Sequence, residues 1–354
     1  MTSGTTCPYH IIDLFAGPGG LDVAATWLGL PVTGIEIDDN ACATRKAASL
    51  LTTQGDVRDF GPKDFPDANV LTGGPPCQTY TVAGRGAGRQ ALDEVLDFAR
   101  RMDAGEDVRA ELDKMPDKRT GLVLEPLRWA LEAIDLDRPY EVIVLEQVPA
   151  VLPIWDAVAK ILRPRGYGVA IGVLRTEQFG VPQTRKRAVL IARRNTTEVA
   201  LPQPTHRVYR KGVPRNQGDP MLRSWIPMGE VVRRGQKFTV VSNYGTGGDP
   251  KERGKRTHTD PSATVTGKVS RNRIQEDGSR FDPSEAGQLQ TFPADYPWSA
   301  GDISQQIGNA VPPLLALHVL EAALQLGTDL DTWEASKLPQ WSDTTLPHGA
   351  ADHR

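Results

Sequence analysis

Cysteine and long apolar runs are scarce in this chain of 354 residues. Its three cysteines form no Cys-x-x-Cys pair and have no histidine cluster beside them, which argues against a disulfide framework and a zinc site. We expect a reducing compartment and no bound metal. No run of about eighteen apolar residues occurs, and residues 1–6 lack the basic and apolar regions of a signal peptide. These absences predict a cytoplasmic protein without a membrane anchor.

Charges of the two signs are nearly balanced overall but are unevenly distributed. The formal net charge is −3, yet residues 163–280 carry 24 Lys and Arg against 9 Asp and Glu. The remainder carries 17 against 35. Such an asymmetry favours a polyanionic partner held by one part of the molecule. A solvated basic face without a partner is the alternative.

Short apolar runs alternate with helical stretches in the first half of the chain. This alternation predicts an α/β fold with a doubly wound, parallel sheet. The later apolar runs read as a hairpin. The predicted strands are 11–15, 32–37, 68–72, 141–146, 168–174 and 188–192, and helices are predicted up to 28 and over 41–51.

Cys77 follows one of these strands, in the sequence GGPPCQ at 73–78. The two glycines end the strand and the two prolines fix the backbone, so the thiol is presented on a rigid turn. The carboxyl ends of strands are where open α/β sheets hold their chemistry. Cys77 is therefore a candidate nucleophile. The alternative, a buried cysteine that acts as a small hydrophobe, fits Cys42 better.

A glycine-rich turn, 15–20, follows the first predicted strand and opens a helix. Its glycines allow a ligand to approach the backbone closely. Glu36, at the end of the second strand, can accept hydrogen bonds from both hydroxyls of a ribose. Asp56 adds a carboxylate that could accept from an adenine amino group. Because no GxxxxGK[ST] sequence is present, an adenosine cofactor without a pyrophosphate fits best, and S-adenosylmethionine is the common one.

Together these segments resemble the DNA (cytosine-5)-methyltransferases, and the resemblance covers about residues 11–325. The matching segments, in family order, are 13–20 (DLFAGPGG), 34–38 (GIEID), 55–57 (GDV), 74–78 (GPPCQ), 146–148 (EQV), 183–187 (QTRKR), 285–293 (EAGQLQTFP) and 306–313 (QIGNAVPP).

The resemblance implies a Rossmann-like, S-adenosylmethionine-dependent methyltransferase domain with a small, loop-rich target-recognition domain. We predict the catalytic domain over 1–196 and the target-recognition region over 197–280. A segment over 281–327 returns to the catalytic domain, and a polar, loosely docked tail covers 328–354. Because the recognition region is small, we expect a short or relaxed target.

The same resemblance assigns roles to individual residues. Cys77 is the thiolate that adds to C6 of cytosine, and Glu146 shares a proton with the base as charge develops. Arg187 holds the O2 atom of the base, and Arg185 supports the active-site loop. Pro76 and Gln78 shape the cysteine turn. The implied cofactor contacts are Asp13, Phe15, Ala16, Gly17, Gly19, Gly20, Leu21, Glu36, Ile37, Asp56, Val57, Pro75, Leu122, Asn309 and Val311.

The implied substrate is a cytosine flipped out of double-stranded DNA, since its reacting atoms are inaccessible in a stacked duplex. We expect a monomer, encoded by a bacterium or a phage and associated with the nucleoid, and a place in restriction-modification. A cytosine-5 methyltransferase acting on RNA is one alternative. A catalytically silent DNA-binding relative is the other.

Two departures from the family pattern keep the silent relative open. Gln147 stands where the family usually carries Asn, so an extra methylene must be accommodated beside the nucleophile loop. A charged insertion, 88–116, interrupts that loop, and its apolar residues have helical spacing (Leu92, Val95, Leu96, Ala99 and Met102). The insertion is either an exposed decoration or packs on the catalytic loop. In both cases we expect its removal to leave the stability of the core nearly unchanged.

Overall fold

Seven strands form one mixed sheet at the centre of the protein. The computed structural model describes residues 7–76, 87–115, 117, 119–242, 254–330 and 338–346. The strands in chain order are β1 (Ile11–Leu14), β2 (Val32–Glu36), β3 (Thr52–Gln54), β4 (Val70–Gly73), β5 (Val142–Gln147), β6 (Tyr167–Arg175), β7 (Gln183–Thr184), β8 (Lys186–Arg194), β9 (Thr239–Val241), β10 (Lys255–Thr257), β11 (Ser262–Ala263) and β12 (Arg273–Ile274).

The order of the strands in the main sheet is β3-β2-β1-β4-β5-β8-β6. Strands β1 to β5 are parallel, and the hairpin of β6 and β8 adds two antiparallel strands to one edge. The predicted parallel sheet and the predicted hairpin are confirmed. The chain leaves β1 toward β2 on one side and reaches β4 on the other, which makes a crevice at the carboxyl ends of these two strands.

Helices cover both faces of this sheet. Alternate strand residues supply the two cores: Ile12 and Leu71 face one core, and Ile11 and Val70 face the other. The α-helices are α1 (Gly20–Trp27), α2 (Asp39–Ala47), α3 (Ala87–Asp103), α4 (Arg109–Leu112), α5 (Glu125–Asp135), α6 (Leu152–Leu162), α7 (Met228–Val231), α8 (Pro283–Leu289), α9 (Ile303–Asn309) and α10 (Pro313–Leu324).

The last two helices form the one segment of the described chain, Ile303–Leu324, that is long and apolar enough to cross a membrane. However, 78% of its most apolar stretch is buried inside the protein. Helix α10 packs on α1 with its leucines in the second core. The segment is therefore accounted for as part of the core.

A second, smaller core lies under the three-stranded sheet β10-β9-β12. Phe238, Val240 and Ile274 form it together with residues of α8 and α9 such as Leu289 and Ile307. The predicted recognition region ends at 280, so its core also draws on the segment that returns to the catalytic domain. The domain boundaries themselves stay a prediction.

The insertion contributes to the main core. Val95 and Ala99 of α3 are fully buried, and Leu112 of α4 is 8% exposed. They pack in the cluster that contains Trp129 of α5 and Trp155 of α6. The expectation that removal of the insertion would leave core stability nearly unchanged is therefore wrong, because removal would open a large apolar surface to water.

We predict that Leu112→Ala lowers the free energy of unfolding by about 2–5 kcal/mol, as expected for a buried leucine that is truncated in a packed core. Leu136→Ala is the matched control, because Leu136 is 47% exposed and its truncation should change stability by less than about 0.5 kcal/mol. Urea unfolding of the two variants measures the difference. Equal midpoints would show that the insertion lies outside the core.

Candidate active site

A cavity of about 660 Å³ opens at the carboxyl ends of the parallel strands, where the crevice of the sheet lies. Its walls come from the segments that follow β1, β2, β4 and β5, from the start of β8 and from the turn between α9 and α10. The cavity therefore gathers segments that are more than 290 residues apart in the sequence, and most of the predicted site residues lie in these segments.

The glycine-rich loop after β1 forms one wall. Gly17 and Gly19 have φ values of +56° and +104°, a region that residues with a side chain rarely adopt. At Gly20, a Cβ atom would lie 2.1 Å from the carbonyl oxygen of Val311, so only glycine fits there. The loop thus brings bare backbone to the cavity and fixes it against the turn after α9.

Glu36 connects this loop to the end of β2. Its Oε2 atom accepts a hydrogen bond from the N–H of Gly17 at 2.7 Å, and its Oε1 atom accepts from the N–H groups of Ile37 and Asp38, both at 2.8 Å. A carboxylate has about four acceptor positions. Glu36 therefore keeps roughly one for a ligand hydroxyl, one fewer than the two that a bidentate contact with a ribose uses.

Asp56 lies further along the same wall and is held by Arg58. The Oδ2 atom of Asp56 lies 2.6 Å from Nη2 of Arg58, and its Oδ1 atom accepts from the backbone N–H of Arg58. The hydrogen bonds from Arg58 lower the pKa of Asp56. Arg58 also contacts Asp113 of the insertion at 2.8 Å. Most of the acceptor capacity of Asp56 is thus already used.

Asp13 lies at the floor of the cavity and is almost completely buried. Its Oδ1 atom accepts a hydrogen bond from the hydroxyl of Thr72 at 2.6 Å. Burial, together with the negative charge of Asp22, raises the pKa of Asp13 to about 8. At neutral pH this carboxyl group is therefore mostly protonated, and it adds little negative charge to the floor.

Glu146 and Arg187 face each other at the opposite end of the cavity. Glu146 lies at the end of β5, and Arg187 lies near the start of the antiparallel neighbour β8. The Oε1 atom of Glu146 is 2.5 Å from Nε of Arg187, and both side chains are less than 15% exposed. The two groups predicted to hold a base thus form one charged pair.

Arg185 is more deeply buried than its predicted role requires. Its Nη1 atom donates to the carbonyl oxygens of Val265 and Gly308, at 2.9 and 3.0 Å. Burial and the nearby charge of Arg187 lower its pKa well below the ordinary value of an arginine. Within the described residues, Arg185 therefore links the recognition region to the turn after α9, whereas the active-site loop that it was predicted to support lies outside them.

Gln147 closes the gap that its extra methylene creates. Its Nε2 atom donates to the carbonyl oxygen of Pro75, and its Oε1 atom accepts from the N–H of Val148 at 2.6 Å. Pro76 lines the cavity, so the chain enters the cysteine turn at its edge. Cys77 and Gln78 themselves lie outside the described residues.

The structure thus brings most of the described candidates to a single cavity. Gly19 and Pro75 do not line it: Gly19 faces Leu50 and Tyr296, and Pro75 contributes its carbonyl to Gln147. The predicted residues that line the cavity are Asp13, Phe15, Ala16, Gly17, Gly20, Leu21, Glu36, Ile37, Asp56, Val57, Pro76, Leu122, Glu146, Arg185, Arg187, Asn309 and Val311.

Several other lining residues escaped the sequence reasoning. Arg58 and Arg119 are cations beside predicted segments, and their charge was the one signal that could have marked them. Leu315, Val319 and Leu320 of α10 reach the cavity as ordinary apolar residues of a helix. Such residues carry no pattern that separates a pocket wall from a core.

Comparison with known proteins identifies the family of this chain. The family described as C-5 cytosine-specific DNA methylase matches residues 9–100, 132–223 and 221–325. The type II methyltransferase M1.HphI of Haemophilus parahaemolyticus is 28% identical over 90% of this chain and 87% of its own length. The type II methyltransferase M1.ScrFI of Lactococcus lactis subsp. cremoris is 26% identical over 88% and 77%.

Solved structures share the fold at lower identity. The Dnmt2 methyltransferase of S. pombe superimposes with a TM-score of 0.61 at 17% identity, over 90% of this chain and 98% of its own. A putative DNA modification methyltransferase encoded within an E. coli prophage gives 0.52 at 19% identity, over 90% and 99%. The predicted fold class is confirmed, and the family matches span most of the chain. The chain belongs to the C-5 cytosine-specific DNA methylases and is a DNA (cytosine-5)-methyltransferase.

Proposed function

We propose that the chain methylates C5 of a flipped-out cytosine in double-stranded DNA through a covalent bond between Cys77 and C6 of the base. The observation that carries this proposal is that one cavity holds both the Glu146–Arg187 pair and the glycine-rich loop. Pro76, the residue before Cys77, lines the same cavity. A base bound at the charged pair would therefore lie within the space that the loop side of the cavity also serves.

The residues of the cofactor side fit S-adenosylmethionine. The loop of Gly17 to Gly20 offers backbone without side chains, and Glu36 keeps an acceptor position for a ribose hydroxyl. Ile37 is 61% exposed beside Glu36 and offers an apolar surface to an adenine ring. When bound, the cofactor supplies an electrophilic methyl group. A phosphate-binding sequence is absent from the chain, in keeping with a cofactor that has no pyrophosphate.

The charged pair suits the activation of cytosine. Addition of the Cys77 thiolate to C6 breaks the C5–C6 double bond and makes C5 nucleophilic. The electron density that moves toward N3 is stabilised by a proton shared with Glu146, while Arg187 can donate a hydrogen bond to O2. After C5 has taken the methyl group, loss of the C5 proton to a base and departure of Cys77 restore the ring.

The bonding of Gln147 removes one reason to regard the chain as silent. Its amide reaches the carbonyl of Pro75 and so accommodates the residue without displacing the turn. Because the relatives are named type II methyltransferases, we place this chain in restriction-modification. We propose that it acts as a cytoplasmic monomer on bacterial DNA and recognises a short target through residues 197–280.

Cys77 should form a covalent adduct with duplex DNA that contains 5-fluorocytosine in the presence of S-adenosylmethionine, because fluorine at C5 blocks the final elimination. Cys77→Ala should abolish the adduct on a denaturing gel. Cys7→Ala, which changes a half-buried thiol near the start of the described chain, should trap DNA like the wild type. Trapping by the Cys77 variant would reject this nucleophile.

Glu36→Ala should weaken S-adenosylmethionine binding by about 1–3 kcal/mol, because one ligand hydroxyl and the N–H of Gly17 both lose their acceptor. Asp56→Ala should cost less, since Arg58 already occupies most of that carboxylate. Asp39→Ala, an exposed residue of α2, serves as the control. Calorimetry that finds unchanged cofactor affinity for Glu36→Ala would contradict the placement of the ribose.

The outward face of the small sheet offers a test of DNA binding. Lys255 of β10 and Arg273 of β12 both pair with Val241 of the central β9, so they share one face and both are exposed. Arg256 is a poorer choice, since it donates to Pro261 and lies over the ring of Tyr209 at 4.5 Å.

Lys255→Glu combined with Arg273→Glu should weaken binding to all duplexes alike, because phosphate contacts carry no sequence information. The slope of log affinity against log salt should fall by about 1–2, as each lost phosphate contact contributes roughly 0.9. Lys63→Glu, an exposed change in the acidic remainder of the chain, is the control. Wild-type slopes in the double variant would show that this face does not bind DNA.

A further inference from the structure

The described part of the C-terminal tail, 338–346, is docked on the protein. The backbone N–H groups of Trp341 and Ser342 donate to the two carboxylate oxygens of Asp295, at 2.6 and 2.9 Å. The ring of Trp341 lies edge-on to the ring of Tyr296, with 5.3 Å between their centroids. This segment lies beyond residue 325, where the family match ends. The contact is thus between a feature of this chain and residues within the family match.

Tyr296 extends this contact to the glycine-rich loop. It is 4% exposed, and its hydroxyl donates to the carbonyl oxygen of Pro18 at 2.5 Å. A Cβ atom placed on Gly19 would lie only 2.9 Å from the same hydroxyl. The phenol therefore packs directly behind the loop. Burial raises the pKa of Tyr296, so the hydroxyl remains a donor.

The loop needs such support because of its backbone. Phe15, Gly17 and Gly19 all have positive φ, and residues in such conformations persist where surrounding contacts over-determine them. On the cavity side, Gly17 is held by Glu36. On the opposite side, the hydroxyl of Tyr296 is the hydrogen-bond donor to Pro18.

The same cluster also reaches the far wall of the pocket. Tyr296 and Trp341 pack with Phe292 and Ala310, and Ala310 lines the cavity. The neighbouring Val311 contacts Gly20 through its carbonyl. The docked tail therefore backs both sides of the cofactor end of the cavity without contacting the cavity itself.

We propose that the segment 338–346 is a strap for the cofactor site, in which Trp341 and Asp295 are positioning residues. By seating Tyr296 behind Pro18, the strap fixes the glycine-rich loop in the form that binds S-adenosylmethionine. This inference rests on the proposed function, because it concerns the same cofactor site. It adds that cofactor affinity depends on a segment outside the family match.

Trp341→Ala and Tyr296→Phe should each weaken binding of S-adenosylmethionine about three- to tenfold in calorimetry with the full chain, the effect of losing one hydrogen bond or its support. The KM for S-adenosylmethionine should rise by the same factor, whereas DNA affinity and kcat at saturating cofactor should stay at the wild-type values. Trp341→Phe should restore most of the affinity, because it keeps an aromatic ring against Tyr296.

Asp343→Ala is the matched control, because Asp343 lies in the same turn as Trp341 and contacts neither Asp295 nor Tyr296 through a hydrogen bond or ring. It should bind cofactor like the wild type. Wild-type cofactor affinity in both Trp341→Ala and Tyr296→Phe would overturn the strap alone, even if their melting temperatures fell. A wild-type protein that binds no S-adenosylmethionine would instead overturn the proposed function.

Discussion

The buried ion pair between Asp22 and Arg45 holds the cofactor half of the protein together. Both side chains are inaccessible to solvent, and Nη2 of Arg45 lies 2.6 Å from Oδ1 of Asp22. Arg45 also donates to the carbonyl oxygen of Leu51 and to the hydroxyl of Thr52. The pair thus joins α1, α2 and the start of β3. Removing one partner of such a pair typically costs about 3–5 kcal/mol, because it leaves a buried charge uncompensated.

Several features of the site depend on this ion pair. A Cβ atom on Gly34 would lie 2.1 Å from Nη2 of Arg45, so β2 passes the guanidinium only as glycine. Asp22 raises the pKa of Asp13 while Arg45 lowers it, which places the floor of the cavity under the control of the pair. Because α1 begins at the last glycine of the loop, the pair also fixes the helix from which the loop emerges.

The sequence predicted the elements whose pattern is local and failed where the partners are distant. The apolar runs at β1, β2, β4 and β5 are short, continuous and bounded by turn residues, and each became a buried strand. The three-residue β3 is half exposed and has no such run. The gathering of Glu146 and Arg187 followed from the family motifs, but the hydrogen bonds of Arg185 join carbonyls 80 and 123 residues away. No spacing encodes such contacts.

The contact between Gly20 and Val311 has a consequence for synthesis in the cell. The ribosome makes the glycine-rich loop first and the turn that closes it almost last, so α1 emerges long before its partner α10. Until then, the apolar side of α1 has no cover and the pocket lacks its far wall. Loop closure over nearly 300 residues is entropically costly and slow. A nascent or prematurely terminated chain is therefore unable to complete the cavity, and modification of DNA must wait for release of the finished protein.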